Sequence, residues 1–157
     1  MCIRDRLYEE SAEHVAGIIL NKPGTTKAKK IFQVKGFKDI EANDPVYSGG
    51  PVNRESIIIL HSDEWECGNT LKLENGFSLT SDTQMMKKFA LKDEPKQFRF
   101  FNGLSLWSPG QLEGEINSKC WLVGDLTDAN LILKTPPRQQ YMKAVELLGS
   151  QTMNKYI

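Results

Sequence analysis

Histidine and cysteine side chains are the first candidates for chemistry in this chain of 157 residues. His61 and Cys67 are the pair that lies closest in sequence, but their spacing matches no standard zinc pattern and two further ligands would be needed. Cysteine catalysis needs a base and an oxyanion donor, and Cys67 has no evident base nearby. Cys120 adjoins Trp121 in an apolar stretch, where a thiol is usually inert packing. We therefore predict no metal site and no nucleophilic cysteine.

Carboxylates near Trp107 are the second candidates. Glu113 and Glu115 lie two residues apart in a predicted helix, so they do not share a face for acid–base work. Gln111 and Glu115 lie four apart and do share one. Two interpretations stay open: a surface recognition patch built from Trp107, Gln111 and Glu115, or helix capping with solvated charge. Gly114 inside this helix predicts a close backbone approach at that point.

The glycine-rich turn at Ser48, Gly49, Gly50 and Pro51 could present backbone amides to an anion. Pro51 removes one of these donors, however, and no phosphate-binding or cofactor motif follows. The alternative is a tight turn whose glycines adopt positive φ. The chain also has no G-x-S-x-G elbow for a serine nucleophile, and we expect no bound cofactor.

The net charge of the chain does not by itself predict a nucleic-acid partner. The chain has 20 basic and 20 acidic residues, for a formal net charge of zero. A local run of lysines has no helix-turn-helix spacing beside it and is typical of a solvated helix face. We therefore predict that the protein does not bind duplex DNA sequence-specifically by itself. The lysines of this run are Lys22, Lys27, Lys29, Lys30, Lys35 and Lys38.

The cellular setting follows from what the sequence lacks. Three widely spaced cysteines argue against a disulfide scaffold and fit a reducing compartment. No apolar run approaches the roughly 20 residues that span a bilayer, and the first residues do not resemble a signal peptide. The sequence predicts a cytoplasmic protein without membrane contact. It shows no repeat or linker, so we predict that residues 1–157 form a single domain.

Periodicity in the first half predicts strands around one helix. Residues 15–20 and 56–61 form short apolar runs that indicate buried strands. Residues 25–35 have helical spacing, with Thr25 or Thr26 as the N-cap and Gly36 as the end. Residues 70–73 and 76–80, joined through Asn75 and Gly76, are predicted to form a hairpin.

The second half predicts three helices and two or three strands. Ser81 and Ser108 each begin a capping box, closed by Gln84 and Gln111, and Pro109 stands at the first helical position of the second box. The helix after Ser81 is expected to bury Met85, Met86, Phe89 and Ala90. Residues 97–101 and 120–123 are predicted strands, with 129–133 as a brief apolar segment, and the last helix starts at 135–137 and ends at Gly149. This irregular interleaving predicts an α+β fold.

Four motifs, in order, resemble those of the YqgE/AlgH family. The string at 107–115 is the most specific, and weaker similarity continues to residue 149. The motifs are Gly17-Ile18-Ile19-Leu20-Asn21-Lys22-Pro23, Tyr47-Ser48-Gly49-Gly50-Pro51-Val52, Leu60-His61 and Trp107-Ser108-Pro109-Gly110-Gln111-Leu112-Glu113-Gly114-Glu115.

The resemblance implies a small, partly barrel-like antiparallel sheet surrounded by helices. It also implies a bacterial protein of the kind described as transcriptional regulators, with no defined biochemical activity. Residues 1–6 match nothing in the family, and the family's opening strand is expected to be missing from this chain.

Two hypotheses of function remain. In the first, a non-enzymatic regulator contacts an unknown protein or small molecule at a cleft near the motifs at 21–23, 49–51 and 107–115. In the second, an enzyme of unrecognised type uses the same cleft, with His61 and Glu115 as proton carriers; their proximity in one pocket would favour it. We favour the first. The predicted cleft residues are Asn21, Lys22, Pro23, Gly49, Gly50, Pro51, His61, Trp107, Gln111, Glu113 and Glu115.

Overall fold

A computed structural model of the chain describes residues 9–10, 14–38, 40–73, 76–124 and 130–154. Its strands are β1 (Glu9–Glu10), β2 (Val15–Gly17), β3 (Pro23–Lys27), β4 (Pro45–Ser48), β5 (Val52–Ser62), β6 (Leu71–Lys72), β7 (Phe77–Thr80) and β8 (Phe98–Trp107). Its helices are α1 (Ala28–Val34), α2 (Thr83–Ala90), α3 (Gln111–Asn117) and α4 (Pro137–Asn154), with a π-helical turn at Asn130–Lys134. The expectations for residues 1–6 and for the turn at 74–75 lie outside the described residues.

One sheet joins the strands in the order β1-β2-β8-β5-β7-β6, with β4 pairing β8 and β3 pairing β4. All pairings are antiparallel except that of β4 with β8, which is parallel. The predicted α+β class is confirmed. The sheet is mixed and stays open, whereas the resemblance implied an antiparallel, partly barrel-like one.

Each face of the sheet has its own hydrophobic layer. The first face is covered by α1 and α2, whose Phe32 and Phe89 pack with rings 6.1 Å apart over Ile59 and Phe100. The opposite face carries Ile58, Leu60, Phe77 and Phe101, and Ile132 of the π-helical turn packs onto it. Because both faces are covered, the uninterrupted apolar run of β5 is buried without alternation, as predicted.

The two early helices begin later than predicted. Thr25 and Thr26 belong to β3, so α1 begins at Ala28 without a side-chain cap, although it ends near Gly36 as expected (φ 94°). In α2 the cap is Asp82, whose carboxylate accepts from the Gln84 amide at 2.9 Å. An aspartate acceptor one residue closer to the helix displaces the predicted Ser81.

The buried face of α2 is nearly as predicted. Met85, Met86 and Phe89 are buried, but Ala90 is exposed. Ala90 lies about 100° around the helix from Phe89, which turns it away from the sheet.

The helix α3 begins at Gln111 rather than at Pro109. Gly110 at its N-cap adopts a left-handed φ of 76° and provides no side-chain cap. The Gln111 side chain still reaches back to the Ser108 amide at 3.1 Å, so half of the predicted capping box exists, without the Ser108 hydroxyl. No atom lies within 4 Å of the position that a Cβ on Gly114 would take, so the predicted close approach is absent.

The strand predicted in the segment after α3 is wrong. Residues 120–123 form no strand, and Leu122 and Val123 are 63% and 58% exposed. Their apolar types predicted a core strand, but this segment pairs with no described strand of the sheet. The last helix continues beyond Gly149 to Asn154, because an exposed glycine inside a helix weakens it by only about 1 kcal/mol.

A buried arginine attaches the C-terminal elements to the sheet. Arg99 of β8 is 6% exposed and donates to the carbonyl of Leu20 at 2.9 Å and of Leu133 at 3.0 Å. It also reaches the Gln140 side chain at 3.2 Å and stacks over the ring of Tyr47. Burial lowers the pKa of its guanidinium, which has no carboxylate partner among these contacts.

Candidate functional site

A pocket of about 470 Å³ lies across the sheet face that carries Phe101 and Ile58. Strands β2, β8, β5 and β7 contribute to it, and the loop before β6 closes one side. This volume is within the usual range of small-molecule sites, roughly 300–1,000 Å³. We call it the sheet pocket. Its lining residues are Ala16, Gly17, Ile18, Ile58, Asn69, Thr70, Leu71, Leu79, Thr80, Ser81 and Leu104.

The glycine turn at 48–51 supports the pocket from behind. A Cβ on Gly50 would lie 2.1 Å from the carbonyl carbon of Leu104, and one on Gly49 would lie 3.0 Å from the side chain of Ile18. Leu104 and Ile18 both line the sheet pocket. Only glycine permits this approach, so the turn fixes the position of two lining residues.

The amides of Ser48 and Gly49, which the anion-cradle interpretation needs, are already used within the fold. The Gly49 amide donates to the carbonyl of Asn102 at 2.8 Å, which removes it as a ligand donor. Neither Gly49 nor Gly50 has the positive φ that was the alternative explanation; Gly103 of the facing strand does, at 72°. Close backbone packing explains these glycines.

The predicted Asn21, Lys22 and Pro23 motif joins the same turn. The carbonyl of Lys22 accepts from the Ser48 amide at 2.8 Å, and Pro23 pairs with Tyr47 between β3 and β4. The sequence motifs at 17–23 and 47–52 are thus brought together. They meet behind the pocket, where Lys22 and Pro23 are exposed.

Trp107 borders the sheet pocket at Gly17. A Cβ on Gly17 would lie 3.0 Å from the Trp107 ring, and the Trp121 ring stands edge-on to Trp107 at 6.0 Å. Trp107 is only 5% exposed, so it cannot form the surface patch considered with Gln111 and Glu115. The Trp107 ring packs against β2 and Trp121.

The carboxylate of Glu115 accepts two hydrogen bonds from neighbouring side chains. It accepts from the Trp121 ring nitrogen at 2.8 Å and from the Gln111 amide at 3.3 Å. These bonds hold the segment after α3 against the helix. Glu113 is exposed in the first turn of α3, where a negative charge suits the helix dipole.

The pocket has a polar end at Asn69 and Ser81. The Asn69 amide donates to the Ser81 hydroxyl oxygen at 3.2 Å, and its carbonyl accepts from the Ser81 backbone amide at 3.4 Å. Both residues are exposed. Because the Ser81 oxygen serves as acceptor here, its hydroxyl hydrogen can be donated to a bound molecule.

His61 is fully buried in the sheet and forms a one-directional hydrogen-bond chain. Its Nδ1 lies 2.8 Å from the carbonyl of Ser62, which can only accept, so Nδ1 carries the proton. Nε2 then accepts from the Thr80 hydroxyl at 2.9 Å, and Thr80 accepts from Thr70 at 2.7 Å. Burial lowers the pKa of His61, which favours the neutral ring.

The structure does not bring His61 and Glu115 together. His61 pairs with Phe98, the first residue of β8, whereas Glu115 is tied to Trp121 beside Trp107, the last residue of β8. At about 3.3 Å per residue, the two ends of this strand are up to roughly 30 Å apart. These groups cannot act on one substrate.

Within residues 9–10, 14–38, 40–73, 76–124 and 130–154, no group of three or more histidine, cysteine or acidic side chains is placed to hold a metal ion. Cys67 and Cys120 are free thiols, and Cys120 is exposed rather than packed in a core strand. No helix in this same part of the chain is long and apolar enough to cross a bilayer.

Most lining residues of the pocket were missed from the sequence. Ile58 and Leu79 were read only as parts of strands, and Leu104 was not assigned to a strand at all. Position along a strand assigns each residue to one of the two sheet faces, but it does not indicate whether that face is covered. Asn69 and Ser81 come together only through the hairpin.

Comparison with known proteins identifies the family. The chain matches the family model described as DUF179, AlgH-like, over residues 6–153. It is 31% identical over 146 residues to a UPF0301 protein of Marinomonas sp. strain MWYL1, covering 91% of this chain and 77% of that protein. It is also 31% identical over 160 residues to a UPF0301 protein of Acidovorax sp. strain JS42, covering 93% and 79% of the two chains.

A solved structure supports the fold. The solution structure of the AlgH protein from Pseudomonas aeruginosa is similar with a TM-score of 0.74 at 23% identity, covering 90% of this chain and 76% of that one. At this level of identity the similarity concerns the fold alone. From the family model and the two relatives together, the chain belongs to the AlgH-like family, also designated UPF0301.

Proposed function

We propose that this protein is a non-enzymatic regulator that binds a small molecule in the sheet pocket. The observation that carries the proposal is the pocket itself: an open, ligand-sized cavity with an aliphatic floor and a polar end. It is bordered by three of the motifs that identify the family, through Gly17, Gly49 and Trp107. A transcriptional role would then be indirect, through the ligand and a protein partner.

The lining defines the class of ligand. Ile58, Leu79 and Leu104 offer aliphatic contact, while Ser81 has a hydroxyl hydrogen to donate. The hydroxyls of Thr70 and Thr80 are already engaged in the chain to His61. A largely apolar molecule with one hydrogen-bond acceptor at its end, such as an aromatic or medium-chain carboxylic acid, fits this arrangement.

The enzymatic alternative has less support. It needed His61 and Glu115 in one concave site, but His61 is buried, and the two lie at opposite ends of β8. Both have hydrogen-bonding partners that give them structural roles. Binding without turnover is therefore the better account of the pocket.

Thermal shift with a panel of aromatic acids, medium-chain fatty acids and nucleosides tests the proposal. A ligand of the native state at 100 times its Kd adds about 2.7 kcal/mol of stability and raises Tm. Ala16→Phe projects a ring from β2 at the pocket lining and should abolish the shift. Glu55→Phe adds the same ring at an exposed site of β5 outside the lining and should retain it.

The polar end has its own test. Ser81→Ala should weaken the acidic ligands by about 0.5–1.5 kcal/mol, the net value of one hydrogen bond. The proposal fails if no panel member raises Tm, or if the shift is the same in the wild type and in both phenylalanine variants. Release of a chemically changed ligand, seen by mass spectrometry, would favour the enzyme instead.

A further inference from the structure

The outward surface of α1 and α2 combines strong basic charge with exposed aliphatic side chains. Val34 and Leu91 are the two most exposed large apolar residues in the described part of the chain, at 82% and 80%. Each follows a phenylalanine of the core contact by two residues, and two residues along a helix turn a side chain to the opposite side. Both therefore point away from the sheet.

The two helices meet close to their C-terminal ends. Phe32 and Phe89, whose rings are 6.1 Å apart, each lie within two residues of the end of their helix. Val34 and Leu91 therefore both lie on the outer side of the helices that cover this face of the sheet. This surface lies on the side of the sheet opposite to the sheet pocket, which opens beside Ile58.

Lysines surround these two aliphatic residues. We call the whole surface the basic helix face; it comprises Val34, Leu91, Lys27, Lys30, Lys35, Lys38, Lys87 and Lys92. All are exposed, and none of the six lysines has an ion-pair partner among the described residues. Neither α1 nor α2 contains an acidic residue.

Nearby carboxylates compensate only part of this charge. Glu41 pairs with Lys29 at 2.7 Å, and Asp93 pairs with Lys88 at 3.0 Å, so each is already used. Among the described residues, two exposed carboxylates close to these helices lack such a pair: Asp44, whose backbone carbonyl accepts from the Ala28 amide at the start of α1, and Glu94 beyond the end of α2. The chain as a whole is neutral, so the basic helix face is a local excess that requires acidic surface elsewhere.

We propose that the basic helix face is a docking surface for an acidic, amphipathic segment of another protein. Carboxylates of the segment would face the lysines, and its aliphatic side chains would cover Val34 and Leu91. Because the face is positively charged, a surface of complementary charge on the partner is negative. The aliphatic pair favours a protein over a nucleic acid, because phosphates gain nothing from contact with exposed valine and leucine, and the face contains no arginine for base edges.

Fluorescence anisotropy with the full chain tests this proposal. The probe is a fluorescein-labelled helical peptide with leucine at every third and fourth position and glutamate elsewhere; a peptide with lysine in place of glutamate is its counterpart. We expect saturable binding of the acidic peptide alone, weakened at least about tenfold between 50 mM and 500 mM salt because the lysines lie at the surface.

Two double variants test the aliphatic residues and the lysines of the basic helix face separately. Val34→Ser with Leu91→Ser, and Lys30→Glu with Lys35→Glu, should each weaken binding at least about tenfold. Leu106→Ser and Lys143→Glu, which change exposed residues away from α1 and α2, should leave it within about twofold. Circular dichroism and thermal melts verify that the variants fold.

Several outcomes would overturn the proposal. Equal binding of the acidic and basic peptides, or unchanged affinity in both double variants, would remove the role of this face. Tighter binding to duplex DNA or to phosphatidylserine vesicles than to the acidic peptide would replace the protein partner with that class. Since none of these residues lines the sheet pocket, failure here leaves the ligand-binding proposal to its own test.

Discussion

Arg99 offers the sharpest test of how the C-terminal elements are held on the sheet. Replacing it by methionine keeps an apolar stem of similar length but removes every donor of the guanidinium. The carbonyls of Leu20 and Leu133 and the side chain of Gln140, all within 3.2 Å, then lose a donor. We expect Arg99→Met to lower the free energy of unfolding strongly.

The magnitude follows from two opposing effects. Each buried acceptor left unpaired costs about 1–3 kcal/mol, so three of them cost about 3–9 kcal/mol. Removing a buried charge returns several kcal/mol of desolvation. The net loss should therefore be about 3–5 kcal/mol, a large part of the stability of a domain of this size.

Urea unfolding followed by circular dichroism measures this loss. Arg99→Lys keeps the charge without the planar fork that reaches several oxygens, so it should lose about half as much. Arg54→Met changes an exposed arginine of β5 and should alter stability by less than about 0.5 kcal/mol. A loss below about 1 kcal/mol for Arg99→Met would refute the reasoning, because the carbonyls would then have other partners.

Three further predictions concern His61, the glycines and the start of α3. Burial lowers the pKa of folded His61, so the unfolded state binds more protons below its ordinary value of about 6.5. Stability should therefore fall from pH 7 to pH 5, by up to about 1.4 kcal/mol per pH unit, and His61→Gln should remove this slope. Gly50→Ala would force a Cβ to 2.1 Å from backbone and should cost at least about 3 kcal/mol, whereas Gly114→Ala, with nothing within 4 Å, should stabilise by up to about 1 kcal/mol. Ser108→Ala should be nearly neutral, while Gln111→Ala should cost about 0.5–1.5 kcal/mol because it removes the bond to the Ser108 amide.

Urea melts between pH 5 and 8 check all of these. An unchanged slope in His61→Gln would assign the acid sensitivity to another group. If Gly50→Ala and Gly114→Ala have similar free energies of unfolding, the turn at 48–51 must be able to move away from β8. If Ser108→Ala lowers the free energy of unfolding, the Ser108 hydroxyl must cap α3, contrary to the geometry described above.

The sequence determined the local features whose cause is local. The apolar run of β5 indicated burial on both faces, and Gly36 marked the end of α1. The motif strings identified the family, because order and spacing are properties of the chain alone. The motifs at 17–23 and 47–52 are joined by the hydrogen bond from the Ser48 amide to the Lys22 carbonyl.

Tertiary structure decided what depends on competition for space. Residues 120–123 have strand-like composition, but they pair with no strand in the described part of the chain, and the Trp121 ring nitrogen instead donates to Glu115 of α3. Asp82 displaced Ser81 as a cap through a one-residue difference in where α2 begins. Which strand face is covered, and so where the sheet pocket opens, depends on contacts between residues far apart in sequence, such as Gly50 with Leu104. Residue types reveal that a side chain is apolar, whereas only the packing of the whole chain determines what covers it.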